Sequence, residues 1–145
     1  MSGAVEYFRI MEGEPLPDID IYRPFRAIIV IDAPYSTLWQ DQVSDWLAAS
    51  GCLFMLAWGK DCTTWDDSVD YANLRQFSYG EIPEEHFIFT TWHANQALDE
   101  VFWEAENIGS HPVIALERTL ILHIGARNRR EEFLARRQIA LNQSR

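Results

Sequence analysis

Residues with chemically active side chains follow the apolar runs of this 145-residue sequence. One apolar run ends in Asp32, a second is followed by Lys60 and Asp61, and a third ends in His93. A carboxylate can bind a metal or act as a base, a lysine can hold an anion, and a histidine can move a proton near neutral pH. With two tryptophans at the same ends, the candidate ligand or partner site consists of Asp32, Trp58, Lys60, Asp61, Trp92 and His93.

Asp32 and His93 are the two catalytic candidates. An aspartate at the tip of a strand can serve as a metal ligand or a nucleophile. Phosphatases that use such an aspartate carry a second one two residues later, but Pro34 occupies that position here. The alternative for both side chains is that they cap a neighbouring helix or turn.

The other histidines and the cysteines suggest packing more than chemistry. His123 lies inside an apolar run and is interpreted as a core histidine. Cys62 lies at a helix start that would lower its pKa, but the acids around it oppose a thiolate. Cys52 begins a buried run, and the two cysteines have neither the spacing of a zinc site nor the number of a disulfide framework. We therefore expect no metal and reduced thiols in a cytoplasmic protein.

Acidic residues dominate the middle of the chain. The formal net charge is −10, and residues 34–110 hold thirteen acids and two bases, whereas residues 111–145 hold seven arginines and three acids. This balance disfavours nucleic acid as a partner, because the phosphate backbone rewards excess positive charge. No run approaches the ~20 apolar residues of a membrane span, and the N-terminus does not look like a secretory signal.

Asp66, Asp67 and Asp70 lie within one predicted helix and share a helical face. Three carboxylates could hold a cation, but the glycine and terminal glutamate of an EF-hand loop are missing. Two interpretations stay open for this face. It is either an ordinary solvated helix start or a docking surface for a basic partner.

Sequence motifs for common cofactors are absent. The chain contains no GxxxxGK[ST] or GxGxxG motif, and the turn after Asp32 has no glycine that would let the backbone approach a pyrophosphate. A GxSxG motif is also missing, so an α/β-hydrolase is not supported. We expect no cofactor and favour a protein that is not an enzyme.

Apolar runs alternate with helical patterns from residue 25 onwards. Strands are predicted at 26–32, 52–59, 86–93 and 117–125, and helices at 37–50, about 63–77, 96–108 with Asn95 as its cap, and 127–143. This alternation predicts an α/β fold with a three-layer, mainly parallel sheet of four to five strands and helices on both faces, Rossmann-like or flavodoxin-like. Residues 1–24 are predicted to form an N-terminal arm, in which Tyr7–Met11 could add an edge strand, and residues 25–145 a single domain. In such a sheet the candidate residues share the carboxyl edge, where ligands bind.

The second half of the chain resembles a known group of domains. TTWHANQALDEVFWEAENIGSHP, followed by LERTLILHIG, is similar to a family of small uncharacterised bacterial α/β domains. In that family a strand ending in Thr-Trp-His leads into a helix with a Phe-Trp pair and then a His-Pro. The resemblance covers about residues 26–125 and implies a bacterial or phage origin, with no established activity.

Two functions are compatible with these observations. The favoured one is an acidic, non-enzymatic interaction domain, such as an immunity-type or accessory protein of a bacterial defence or toxin system that binds a basic partner. The alternative is binding or hydrolysis of a small molecule or nucleotide at the strand ends. Three tryptophans, Trp58, Trp65 and Trp92, are predicted near that edge. They could form a protein hot spot, provide a stacking surface for a planar ligand, or simply fill the core. The basic last helix could also pair with the acidic body of a second copy in a homodimer.

Overall fold

The computed structural model describes residues 4–143, so positions 1–3 of the predicted arm and 144–145 of the predicted domain lie outside the described residues. A five-stranded sheet has the order β1-β5-β2-β3-β4, and every neighbouring pair is parallel. The strands are β1 (Ala4–Ile10), β2 (Phe25–Ile31), β3 (Cys52–Gly59), β4 (Phe89–His93) and β5 (Arg118–Ile124). The central strands are apolar on both sides, as expected for a sheet covered on two faces, and the predicted fold class is confirmed.

Four helices form the two outer layers. They are α1 (Thr37–Ser50), α2 (Trp65–Gln76), α3 (Leu98–Asn107) and α4 (Arg130–Asn142). The apolar side chains of α1 and α2 pack on one sheet face, with Ala27 and Ile29, while those of α3 and α4 pack on the other, with Ile28 and Val30. Within residues 4–143, no helix is both long enough and apolar enough to cross a membrane.

Local signals set both ends of α1 but not the start of α3. The Ser36 hydroxyl accepts a hydrogen bond from the Trp39 amide at 3.2 Å, and Gly51 ends α1 with φ of 101°. The prediction that Asn95 caps the third helix is wrong, because the helix begins later and Ala97 takes the cap position. Asn95 has φ of 61° and lies in the turn after β4, a left-handed conformation that asparagine tolerates better than most residues.

The strand order places a topological switch point between β2 and β5. The chain passes from β2 to β3 and β4 in one direction, then returns to place β5 on the other side of β2. The segment after β2 leads to α1 on one face, whereas the segment after β5 leads to α4 on the opposite face. The two segments diverge at the carboxyl edge, which is the topological switch point where open parallel sheets bind ligands.

The N-terminal segment packs closely on the sheet. β1 lies at the edge beside β5, and residues 11–24 cover part of the face that also carries α1. Ile19 is fully buried, and the Trp46 indole donates a hydrogen bond to the Pro17 carbonyl at 2.9 Å. This packing places the ends of β1, β5 and β2 side by side.

Candidate functional site

Asp32 lies at the switch point. Its backbone amide donates to the Ile124 carbonyl at 2.8 Å, which ties the end of β2 to the end of β5. Its carboxylate oxygen Oδ2 accepts a hydrogen bond from His123 Nε2 at 2.6 Å and another from Arg129 Nη1 at 2.7 Å. Both bonds end on the same oxygen, so Oδ1 takes part in neither of them. The side chain of Asp32 is 30% exposed and is therefore open to a ligand.

A buried hydrogen-bond chain supports this carboxylate from below. The Tyr7 hydroxyl accepts a hydrogen bond from the Arg129 amide at 2.9 Å and lies 2.6 Å from His123 Nδ1. Since its oxygen accepts from Arg129, its hydrogen is free to donate to Nδ1, and His123 then carries its own proton on Nε2 and donates it to Asp32. We call these four residues, Tyr7, His123, Asp32 and Arg129, the switch-point network.

Burial sets the protonation states in the switch-point network. His123 is 1% exposed, and its burial lowers its pKa, although the hydrogen bond to Asp32 acts in the opposite direction. The pKa of Tyr7 is raised, mainly by burial. Hydrogen bonds to Glu132 and then to Asp32 raise the pKa of Arg129. A neutral histidine therefore positions Asp32, and a ligand would reach the carboxylate but not the imidazole.

His93 belongs to a different cluster. Its Nδ1 lies 2.7 Å from Gln96 Oε1 and 3.2 Å from Glu104 Oε2, and its Nε2 lies 2.8 Å from Thr91 Oγ1. The Trp58 indole donates to the Gln96 carbonyl at 2.6 Å, so it joins this cluster. Two strand spacings of about 4.8 Å each separate the ends of β2 and β4. The structure therefore does not bring the two catalytic candidates into contact.

Lys60 and Asp61 form the turn after β3. The Lys60 amide donates to the Ile31 carbonyl at 3.0 Å, and Asp61 adopts φ of 56°. The Asp61 carbonyl accepts a hydrogen bond from the Tyr35 hydroxyl at 3.2 Å. These contacts use backbone atoms of the turn and place it next to the end of β2. Within residues 4–143, the side chains of Lys60 and Asp61 form no hydrogen bond or ion pair with the switch-point network.

Two residues of the following segment belong to the core. Trp65 is fully buried, and its indole donates to the Tyr35 hydroxyl at 2.9 Å. Of the three interpretations of Trp65, core filling is the one that fits its burial, because the first turn of α2 directs this ring into the sheet. Cys62 is also buried, at 2% exposed, which fits its interpretation as an unreactive thiol.

The remaining predicted residues lie at the opposite edge of the sheet. The Asp70 carboxylate accepts a hydrogen bond from Thr90 Oγ1 at 2.8 Å, which joins α2 to β4. Burial raises the pKa of Asp70, and the charges of Asp66 and Asp67 add to this effect. Trp92, on β4, is 47% exposed. We call Asp66, Asp67, Asp70 and Trp92 together the β4 edge surface.

An apolar groove of about 480 Å³ adjoins the β4 edge surface. It runs between α2 and β4 and is lined by Asp70, Asn73, Leu74, Ile82, Phe87, Ile88, Phe89 and Thr90. Phe87 is 41% exposed at its mouth. Aromatic side chains beside carboxylates form the kind of surface on which protein partners bind.

Sequence reasoning missed three members of the switch-point network. His123 was visible only as a polar residue in an apolar run, and no local pattern marked Tyr7 or Arg129. Only the fold could have identified them, because β1 and β5 end, and α4 begins, beside Asp32. In the described part of the chain, no group of three or more His, Cys, Asp or Glu residues is arranged to hold a metal ion.

Comparison with other proteins identifies the family of this chain. No curated protein and no solved structure matches it. The predicted relationship to an uncharacterised family is confirmed, and the matched region contains all four members of the switch-point network and the whole β4 edge surface. The family model described as "Domain of unknown function (DUF7684)" matches residues 5–138, and the chain therefore belongs to that family.

Proposed function

We propose that this protein is a non-enzymatic interaction domain that binds a basic protein partner at the β4 edge surface. The observation that carries the proposal is the coincidence of exposed aromatic side chains, an apolar groove and three carboxylates at one edge of the sheet. Each of these features is common alone. Together they supply apolar contact area, a pocket for an anchoring side chain, and charge complementarity.

The carboxylates of α2 are available to a partner. Within residues 4–143, none of Asp66, Asp67 and Asp70 forms an ion pair. The nearby Arg75 is already paired with Asp45 at 2.7 Å. Asp67 and Asp70 are exposed, whereas Asp66 is half-buried.

The basic end of the chain does not neutralise this surface. Arg136 pairs with Asp99 at 3.1 Å, and Arg137 pairs with Glu106 at 2.5 Å. Arg129 pairs with Asp32 in the switch-point network. These internal pairs use three of the five arginines in residues 127–137, which favours a separate basic partner over a second copy of this chain.

Binding of synthetic basic and acidic peptides tests the proposal. The two peptides share their apolar residues and differ only in lysine against glutamate, and fluorescence anisotropy reports affinity at low and high salt. We expect only the basic peptide to bind, and its affinity to weaken as the salt concentration rises, because salt screens charge attraction.

Protein variants locate the binding surface. Changing Asp66, Asp67 and Asp70 to lysine should slow association on the order of tenfold or more. The control is the same change at two carboxylates away from this surface, Glu117 and Glu131, which should have little effect, and its charge-matched counterpart is the double change of Asp67 and Asp70. The proposal would be refuted if both peptides bound with equal affinity, or if the affinity of the basic peptide did not change with salt concentration.

The switch-point network supports a second candidate function, the binding of a small ligand at the carboxyl edge. A partly exposed carboxylate held by a buried histidine at the switch point is the specific observation in its favour. A thermal-shift panel of nucleotides, sugar phosphates and divalent metals tests it. A ligand at 100 times its Kd stabilises by about 2.7 kcal/mol. A shift that disappears in Asp32→Asn but persists in the control Asp67→Asn would establish the site, whereas a flat panel would remove this candidate.

A further inference from the structure

β4 has a free hydrogen-bonding edge. Among the described residues, β4 pairs with β3 only, because the sheet order places it last. Proteins usually protect such an edge with charged residues, proline or a bulge. The other edge strand, β1, carries Glu6 and Arg9, whereas the five residues of β4 include no proline and no Asp, Glu, Lys or Arg. β4 is thus an unprotected template for another strand.

The surroundings of β4 suit the side chains of an added strand. Thr90 and Trp92 both point toward the α2 face, where Thr90 contacts Asp70 and the groove opens. Successive side chains of a strand alternate between faces, so every second side chain of an added strand would lie over Trp92 and the groove. On that face, apolar side chains fit the groove and basic side chains fit the carboxylates around it, while the side chains between them point to the opposite face.

We propose that β4 accepts an extended segment of a partner protein as a sixth strand of the sheet, with apolar and basic residues at every second position, so that both kinds of side chain lie on the α2 face. This inference rests on the proposed function and specifies how the basic partner binds. Main-chain hydrogen bonds to β4 supply affinity, and the groove with Asp66, Asp67 and Asp70 supplies specificity. A second copy of this chain is disfavoured as the occupant, because pairing β4 with β4 would bring the same carboxylates of the two copies together.

Backbone methylation of a peptide separates strand addition from simple charge attraction. The probe is a synthetic peptide of about ten residues with valine and lysine in turn at every second position and serine between them, so that valine and lysine share one face of the strand. Two further versions carry N-methyl groups on alternate residues, one in each frame, so charge and side chains stay unchanged. A strand uses only alternate amides toward its neighbour. One methylated frame should therefore lose binding on the order of tenfold, while the other should bind like the parent.

Protein variants test the place of binding. Trp92→Ser should weaken the parent peptide, and Ile139→Ser on α4, which removes another exposed apolar side chain at 61% exposure, should not. If both methylated peptides bind like the parent, strand addition is refuted while the charge-based function stands. If no basic peptide binds, the proposed function fails with it. If the free protein forms a dimer that Trp92→Ser dissociates, a second copy occupies β4 and the inference is overturned.

Discussion

The Tyr7 hydroxyl holds the switch-point network together, and the Tyr7→Phe variant removes it without removing the ring. The hydroxyl contacts His123 Nδ1 at 2.6 Å and the Arg129 amide at 2.9 Å. Phenylalanine keeps the ring packing against Phe133, whose centroid lies 6.1 Å away. The expected loss therefore comes only from two polar groups that lose their partner.

The burial of those groups sets the size of the effect. His123 is almost fully buried, so an unpaired Nδ1 costs about 2 kcal/mol. The Arg129 amide belongs to a partly exposed residue, and its loss costs about 1 kcal/mol. We expect the free energy of unfolding to fall by about 3 kcal/mol, which corresponds to roughly 9 °C in Tm for a chain of this size.

Urea unfolding of Tyr7→Phe measures this loss as a shift in the midpoint at constant slope. Tyr71→Phe is the matched control, because Tyr71 is 57% exposed and its change should stay within about 0.5 kcal/mol. A loss below about 1 kcal/mol for Tyr7→Phe would show that water or a shift of His123 replaces the hydroxyl. The argument that the network positions Asp32 would then be refuted.

Three further predictions concern stability. The lowered pKa of His123 means that the unfolded state binds more protons below its ordinary pKa of about 6.5, so stability should fall as pH drops from there. Urea titrations at several pH values should show this slope, and His123→Phe should lack it. Glu106→Ala leaves two buried arginines without their carboxylate and should cost about 3–5 kcal/mol in the same assay. Gly59→Ala should cost about 3 kcal/mol or more, because φ is 108° and the new Cβ would lie 2.4 Å from a backbone oxygen. Gly13→Ala, with φ of 94° and open space, should cost only about 1–2 kcal/mol, and equal losses would contradict the role of the close contact.

Local sequence patterns predicted the elements well. The apolar run before Asp32 becomes β2, and the predicted helix at 37–50 is α1, with Ser36 at its start and Gly51 at its end. These signals work because capping, turn formation and burial of a central strand each depend on a few neighbouring residues. The prediction that Asn95 caps a helix failed because asparagine also suits a left-handed turn. Only the path of the chain after β4 decides whether this residue caps a helix or forms a turn.

The candidate site shows the limit of such patterns. Asp32 and His123 are 91 positions apart, and Tyr7 and Arg129 are 122 positions apart, yet all four meet within hydrogen-bond distance. No local pattern encodes this meeting, since it requires β5 to lie between β1 and β2. The sequence also placed Asp32 and His93 at one edge, but it did not show that β3 separates them.

By itself, the sequence determined the α/β class, the apolar strands and the acidic character of the α2 region, because composition and periodicity record which side chains avoid water. Only the tertiary structure decided that His123 supports Asp32 and that β4 keeps a free edge beside Trp92. Strand order is chosen by the packing of helices on both faces and by the handedness of the crossovers, which are properties of the whole chain. A residue's chemistry is therefore readable from its type, whereas its partners depend on that order.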